Sequence, residues 1–247
     1  MTITSPVCQG PAPAVVTDRA AAAGPAILLE FSGVVCDDSL WKRWLWRLVV
    51  KAARRTLDYA TFEGLWNERL REAGRPAGGY WDVLGAVLAE CGLRSADIEE
   101  LLLAAKSLRR MWDESQRPLP GVRPLLALLR QKSYVTAILS LEGWDVPALR
   151  DQLSRMKLDE VCDHLFVWPG TPGGLSSWWP TVAEHLGRSC RQLLFISSRP
   201  CNLRSAAESG VTCLGVHACA GGWDGPKLGD LMELPSWLAA RPLRVAG

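Results

Sequence analysis

The chain has 247 residues, of which 48% are apolar and 22% charged, with a formal net charge of +2. This length can bury a substantial core, either as one domain with an insertion or as two domains. The balanced charge does not demand a polyanionic partner, and no apolar run approaches the roughly 20 residues that a membrane-spanning helix needs.

The start of the chain and the cysteines indicate where the protein resides. Residues 1–24 are rich in Ala, Pro and Thr and lack the basic start and apolar run of a targeting peptide, so we expect a flexible tail. The eight cysteines include no C-x-x-C pair, and a chain of this size does not need disulfides. We therefore expect reduced thiols and a cytoplasmic location.

The segment 26–38, which reads AILLEFSGVVCDD, is the most informative part of the sequence. An apolar run ends at Glu30, and Ser32 and the turn-forming residue Gly33 follow closely. This pattern predicts a buried strand that carries polar groups to its C-terminal end. In open parallel sheets ligands bind at that end, so the segment also predicts a functional site.

The rest of the chain divides into two kinds of pattern. Apolar residues at spacings of three and four predict a helical block, with helices at Leu40–Arg55, Ala60–Ala73, Trp81–Cys91 and Ala96–Trp112. After the break at 118–121, strands alternate with helices: strands at Tyr134–Leu139, His164–Val167, Gln192–Ile196 and Val211–Val216, helices at Val122–Gln131, Val146–Met156, Trp178–Leu186 and Leu203–Ser209. Alternation of this kind predicts a doubly wound parallel sheet with an all-helical insertion.

Three segments resemble motifs of the haloacid dehalogenase (HAD)-like hydrolase superfamily, in its capped, phosphatase-like branch. The segment 26–38 is similar to the first motif, Tyr134–Ser140 to the second, and 193–211, which reads LLFISSRPCNLRSAAESGV, to the fourth. The resemblance implies an α/β fold whose doubly wound, Rossmannoid parallel sheet carries a helical cap. It places the α/β core at 25–38 and 118–247 and the cap at 39–117.

The same resemblance implies a chemistry that these residues lack. In the family, a first Asp attacks phosphorus, a second Asp transfers protons, a motif-three Lys stabilises charge, and acids of the first and fourth motifs hold Mg²⁺. Here Glu30 and Ser32 stand at the two Asp positions, and Ser198 and Asn202 stand at the acids of the fourth motif. The stretch 169–180, just ahead of and into the predicted helix at Trp178, contains no Lys or Arg, and only Ser140 matches its motif.

We therefore expect a protein that has lost aspartyl-phosphate chemistry and acts as a pseudoenzyme that binds a ligand or a partner. The catalytic candidates are Glu30 and Ser32, and the expected ligand pocket consists of Ser140, Ser197, Ser198, Arg199 and Asn202. We expect no metal ligands and no resident cofactor, with a weakly held Mg²⁺ left open. The alternative is a HAD-type hydrolase of altered mechanism that uses Glu30 on an unknown small molecule.

Several charged residues near these motifs have two interpretations. Arg199 either forms an anion pocket with the serines or is a solvated loop residue. Asp37 and Asp38 could replace a missing acid, but capping of the next helix is the favoured interpretation. The same choice applies to Glu142 and Asp145, for which capping by Asp145 is favoured.

The thiols could also carry chemistry. For Cys36 a small buried thiol is favoured over a nucleophile, because no histidine lies near it in sequence. Five residues near the end of the sequence could together hold zinc: Cys190, Cys201, Cys213, His217 and Cys219. Their spacing is looser than in structural zinc sites, so scattered buried thiols are favoured.

The residue pattern of the predicted helix Trp41–Arg55 indicates the one face that could bind an anionic partner. An apolar face is predicted at Trp41, Trp44, Leu45, Leu48 and Ala52, and a basic face at Arg43, Arg47, Lys51 and Arg54. The basic face could bind a membrane surface, an acidic partner or nucleic acid, but a solvated outer face of the cap is favoured.

Overall fold

The computed structural model describes residues 25–53, 56–72, 80–141, 146–168, 174–216 and 222–241. Some sequence predictions fall outside these ranges. They concern the tail 1–24, the acids Glu142 and Asp145, the basic residue Arg54, and the proposed zinc ligands His217 and Cys219.

Within these ranges, six parallel strands form the centre of the molecule. They are β1 (Ala26–Glu30), β2 (Val135–Ser140), β3 (His164–Val167), β4 (Leu193–Ser197), β5 (Thr212–Val216) and β6 (Lys227–Leu228). The order across the sheet is β3-β2-β1-β4-β5-β6, so β1 lies between β2 and β4. This central position explains the unbroken apolar run of β1, because a strand covered on both faces has no polar side.

Helices cover the sheet and form the insertion that separates β1 from β2. They are α1 (Ser39–Ala53), α2 (Tyr59–Glu72), α3 (Tyr80–Glu90), α4 (Ser95–Ser115), α5 (Val122–Gln131), α6 (Val146–Arg155), α7 (Trp179–His185), α8 (Pro200–Glu208) and α9 (Leu234–Ala240). Within the described residues, none of these helices combines the length and the apolar character that crossing a membrane would require.

The apolar core is divided by the sheet into two layers. Ile27 and Leu29 of β1 belong to one cluster, and Ala26 and Leu28 belong to the other. This alternation follows from the two-residue period of a strand, which sends successive side chains to opposite faces. A third apolar cluster contains side chains of all four inserted helices, α1, α2, α3 and α4, so these helices have a core of their own.

The predicted α/β fold with a parallel sheet and a helical cap is confirmed, and most differences lie at element ends. Helix α8 begins at Pro200 rather than at Leu203, because proline is tolerated in the first turn, where its missing N–H has no helical partner. The structure adds β6, α9 and a tight turn at Phe31–Val35, which a hydrogen bond from the Cys36 N–H to the Phe31 carbonyl closes. Strand β6 has only two residues, which is too short for a periodic signal to identify.

In helix α1 the buried face that is observed differs from the predicted apolar face. The buried side chains are Trp41, Leu45 and Val49, whereas Ala52 is exposed and Trp44 and Leu48 are half-buried. The cations Arg43, Arg47 and Lys51 are exposed, as the solvated-face interpretation requires. The buried stripe is therefore rotated by only about 40°, or roughly a ninth of a turn, from the predicted face, and its spacing of four residues is that of a helix packed on one side.

Candidate functional site at the carboxyl edge of the sheet

The end of β1 is shaped by a sharp change in backbone direction. Glu30 is the last residue of the strand, and the tight turn that follows at Phe31–Val35 contains Gly33 at φ 84°. Glycine adopts this left-handed conformation without the steric cost that a Cβ brings. A Cβ at this position would also collide with Ser198 Oγ, so the turn lies directly against the loop that follows β4.

The parallel register brings the predicted motif residues together. Glu30 pairs with Leu139, so Ser140 lies one residue further along β2. On the other side, Leu29 pairs with Ile196, which places Ser197 beside Glu30. The carboxyl ends of three neighbouring strands therefore meet here, as the sequence patterns predict.

The carboxylate of Glu30 is enclosed and bonded at both oxygens. Glu30 as a whole is only 1% exposed. The Ser197 hydroxyl donates to Oε2, and Asn202 Nδ2 donates to Oε1 at 2.8 Å. Glu30 and Ser197 are both buried, so these hydrogen bonds replace the water that the ionised group loses.

The guanidinium of Arg199 supplies the compensating charge. Its Nη1 lies 3.6 Å from Glu30 Oε1, and its Nη2 lies 3.3 Å from Asp38 Oδ2. Lys42 Nζ contacts the same Asp38 oxygen at 3.1 Å. Two carboxylates thus alternate with two cations across the end of the sheet and the start of α1, and we call this set the charge chain: Glu30, Arg199, Asp38 and Lys42.

The charge chain is shielded from solvent along its whole length. The side chain of Arg199 is 18% exposed, that of Lys42 11% and that of Asp38 10%. Buried ion pairs are screened less by salt than surface pairs, and each partner depends on the other for compensation. The interpretation of Arg199 as a solvated loop residue is therefore wrong, and its contacts are carboxylates of the protein itself.

Asp37 and Asp38 have different roles in the structure. The Ser39 backbone N–H donates to Asp37 Oδ1 at 2.8 Å, which is the local bond expected of a residue that precedes a helix. Asp38 instead joins the charge chain. Sequence reasoning missed both this role and Lys42, although the Asp38–Lys42 spacing of four residues places the two side chains on one helical face.

The remaining serines line the same edge. Ser140 is 2% exposed and Ser32 is 6% exposed, and the backbone carbonyl of Ser140 accepts a hydrogen bond from the Trp168 N–H at 2.9 Å. Ser198 packs against Gly33. The candidate pocket residues thus lie around Glu30, with Ser197, Arg199 and Asn202 in contact with its carboxylate.

The described thiols include Cys201, whose Sγ lies 3.6 Å from the Asn202 amide oxygen and so borders the site. Cys36 is buried, and its Sγ donates to the Phe31 carbonyl oxygen at 3.4 Å. Cys213 is buried as well, and burial raises its pKa to about 12, which keeps it protonated. Cys201 is exposed, so the expectation of buried thiols fails at that position. Among the described residues, no group of three or more His, Cys, Asp or Glu side chains is arranged to hold a metal.

Comparisons with known proteins agree on the fold. No protein-family profile and no curated protein sequence matches the chain. The structure is similar to the HAD-hydrolase YfnB from Bacillus subtilis in its magnesium-bound form, with 16% identity and a TM-score of 0.65 over 87% of this chain and 99% of that one. It is also similar to a β-phosphoglucomutase-like protein from Thermotoga maritima, with 16% identity and a TM-score of 0.61 over 88% and 98%.

A 2-haloacid dehalogenase from Pseudomonas syringae pv. Tomato DC3000 matches as well, with 13% identity and a TM-score of 0.57 over 88% of this chain and 99% of that one. The chain has the HAD-like hydrolase fold. At these identities the similarity establishes the HAD-like architecture alone, and the chemistry must be judged from the residues at the site.

The residues around Glu30 do not fit a resident Mg²⁺. This ion requires several oxygen ligands in near-octahedral geometry, usually with one or two carboxylates among them. Both oxygens of Glu30 already accept hydrogen bonds, and the Arg199 guanidinium lies beside one of them. A divalent cation would have to displace these donors and would be repelled by Arg199.

Proposed function

We propose that this HAD-like protein has lost aspartyl-phosphate chemistry and acts by binding a small ligand or a partner protein. The observation that carries this proposal is the set of contacts on Glu30. Its carboxylate is held by Ser197, Asn202 and Arg199, where the family mechanism needs an anion available to phosphorus and to a metal.

The geometry weighs against Glu30 as a nucleophile of altered mechanism. A nucleophilic carboxylate attacks through an oxygen that approaches the substrate to about 3–3.5 Å. Here Oε2 accepts from Ser197 and Oε1 accepts from Asn202, in a residue that is 1% exposed. An ion pair with Arg199 also lowers the energy of the carboxylate in the resting state, which raises the barrier to attack.

Proton transfer lacks a suitable group at the second position of the first motif. Ser32 has a hydroxyl, which neither gives nor takes a proton near neutral pH as a tuned carboxyl does. Ser32 is also buried, at 6% exposure. Without an available nucleophile, a proton-transfer group and a metal site, the family's hydrolysis has no chemical basis, and we infer that the role of the protein is binding.

The test measures Mg²⁺ binding and hydrolysis separately. We expect titration calorimetry with MgCl₂ to give no binding isotherm at millimolar concentrations, and p-nitrophenyl phosphate with Mg²⁺ to show no turnover above that of buffer. Magnesium binding needs no knowledge of the substrate, so it tests the loss of the metal site even if the assay substrate is wrong. The matched variant is Glu30→Gln, which keeps the shape of the side chain and removes its charge.

Two results would overturn the proposal. One is Mg²⁺ binding that Glu30→Gln abolishes in a folded protein. The other is hydrolysis that requires Glu30, with or without a metal, which would establish the alternative of an altered mechanism.

A further inference from the structure

The chain leaves and re-enters the α/β layer at one narrow place. Cys36 and Pro118 form an antiparallel bridge, and the Leu119 N–H donates to the Val35 carbonyl at 2.8 Å. The helices α1 to α4 are inserted between these two segments and have their own apolar cluster. Two adjacent linkers of this kind are where a cap can rotate on its core, unless other contacts prevent it.

The charge chain crosses from the core to the cap beside these linkers. Glu30 ends the central strand and Arg199 precedes α8, so both belong to the α/β layer. Asp38 immediately precedes α1, and Lys42 lies in its first turn. The planar guanidinium therefore joins the carboxylate that ends β1 to the carboxylate that immediately precedes α1, through two different nitrogens.

We propose that the charge chain is a fixed clamp, in which Arg199 holds the start of the cap on the sheet and keeps the cap in one orientation. The clamp lies at the carboxyl edge of the sheet, where proteins of the family bind a metal. It goes beyond the proposed function, because it would hold whether or not the protein binds a ligand.

A second contact strengthens the clamp by fixing the other end of the insertion. Gln152 Nε2 of α6 donates to the Asp113 carbonyl of α4 at 2.9 Å and to Gln116 Oε1 at 3.1 Å. Gln152 is fully buried. Rotation about the linkers would have to break the ionic contact at the start of the cap and the amide contact at its end, so two attachment points replace a hinge.

The test compares two adjacent aspartates by hydrogen–deuterium exchange. Asp38→Asn keeps the side-chain shape but removes the charge that Arg199 and Lys42 contact. Asp37→Asn is the matched control, because Asp37 is exposed and asparagine can still accept from the Ser39 N–H. We expect the backbone amides of Lys42 and Leu119 to exchange at least about tenfold faster in Asp38→Asn than in the control, because opening of the linkers exposes them.

The amides of β1 and β4 serve as the internal reference. They should keep their wild-type exchange rates, since the clamp is proposed to restrain the cap and not the sheet. Equal linker exchange in the two variants would overturn the clamp, and so would a uniform rise that includes β1 and β4, because that pattern reports only global stability.

A second variant tests the bridging geometry. Arg199→Lys keeps the positive charge, but an ammonium does not present two nitrogens to two carboxylates in a fixed plane. We expect faster linker exchange in this variant as well, and an unchanged rate would overturn the clamp. None of these readouts measures Mg²⁺ or hydrolysis, so the clamp and the proposed function can fail independently.

Discussion

Two carboxylates at opposite ends of the strands have different surroundings, Glu30 at the carboxyl edge of the sheet and Asp163 at the amino edge. At the carboxyl edge, Glu30 is 1% exposed and lies beside the Arg199 guanidinium. At the amino edge, Asp163 is half-buried and is bonded by neutral groups of Thr136. The Thr136 backbone N–H and hydroxyl each donate to the same Asp163 oxygen at 2.9 Å.

The difference shows what full burial requires. A half-buried carboxylate keeps part of its hydration, so neutral donors suffice to stabilise its ionised form. A carboxylate removed from water loses that hydration, and a neighbouring cation recovers part of the energy beyond what hydrogen bonds supply. We interpret Arg199 as the cation that makes a buried Glu30 tolerable at a site that does not fit a metal.

The largest expected effect follows from removal of that cation. Arg199→Gln removes the cation beside the buried Glu30 carboxylate, whereas Asp38 keeps its ion pair with Lys42. Removing one partner of a buried ion pair costs about 3–5 kcal/mol. We expect a loss of this size in the free energy of unfolding from urea denaturation. Arg191→Gln is the matched control, since Arg191 is exposed, and it should change stability by less than about 0.5 kcal/mol.

A double variant sharpens this prediction. In Glu30→Gln with Arg199→Gln, the buried charge and its cation are both absent, so most of the lost stability should return. If the double variant is no more stable than Arg199→Gln alone, the cost does not come from an uncompensated Glu30 and the comparison between the two edges is wrong.

The sequence predicted the position of this site but not its internal pairing. The apolar run before Glu30 and the matching strand ends at Ser140 and Ser197 were enough to bring three segments to one edge, because parallel register follows from hydrophobic pattern. The direction of a long side chain such as that of Arg199 depends on which charges lie within its reach in space. Those charges include Asp38, which is 161 residues away in sequence.

The same reasoning explains why Thr136 and Asp163 did not stand out. Thr136 occupies a strand position where a β-branched residue is ordinary, and its hydroxyl acquires a role only through the pairing of β2 with β3. Pairwise contacts across a sheet have no local periodic signal. By contrast, α5 was predicted at the bounds observed, because its apolar spacing and the break at 118–121 that precedes it are both local.

A smaller effect is expected at the amino edge. Thr136→Val removes the hydroxyl that donates to Asp163 but keeps the backbone N–H bond, so we expect a loss of about 1–2 kcal/mol in unfolding free energy. Thr212→Val is the control, at the start of β5 in a half-buried position. A loss at Thr136 as large as that of Arg199→Gln would show that the two edges depend equally on their carboxylate contacts.

The smallest effect is a pH dependence that arises beside Asp163. Burial lowers the pKa of His164 below its ordinary value of 6.5, opposed by Asp163 and assisted by His185 and Arg188. Among the residues that the structure describes, its buried Nδ1 has no hydrogen-bond partner, which agrees with a neutral ring in the folded protein.

Below pH 6.5 the unfolded chain therefore binds more protons at His164 than the folded protein does. Stability is unaffected by His164 above that pH, falls as the pH decreases through 6.5, and levels off below the folded pKa. We expect the unfolding free energy to decrease more in the wild type than in His164→Gln between pH 7.5 and 5.5, because only the wild type has an imidazole that the unfolded chain protonates more readily. Identical pH profiles for the two proteins would mean that His164 is solvated in the folded state, and the amino edge would then be more open to water than its geometry indicates.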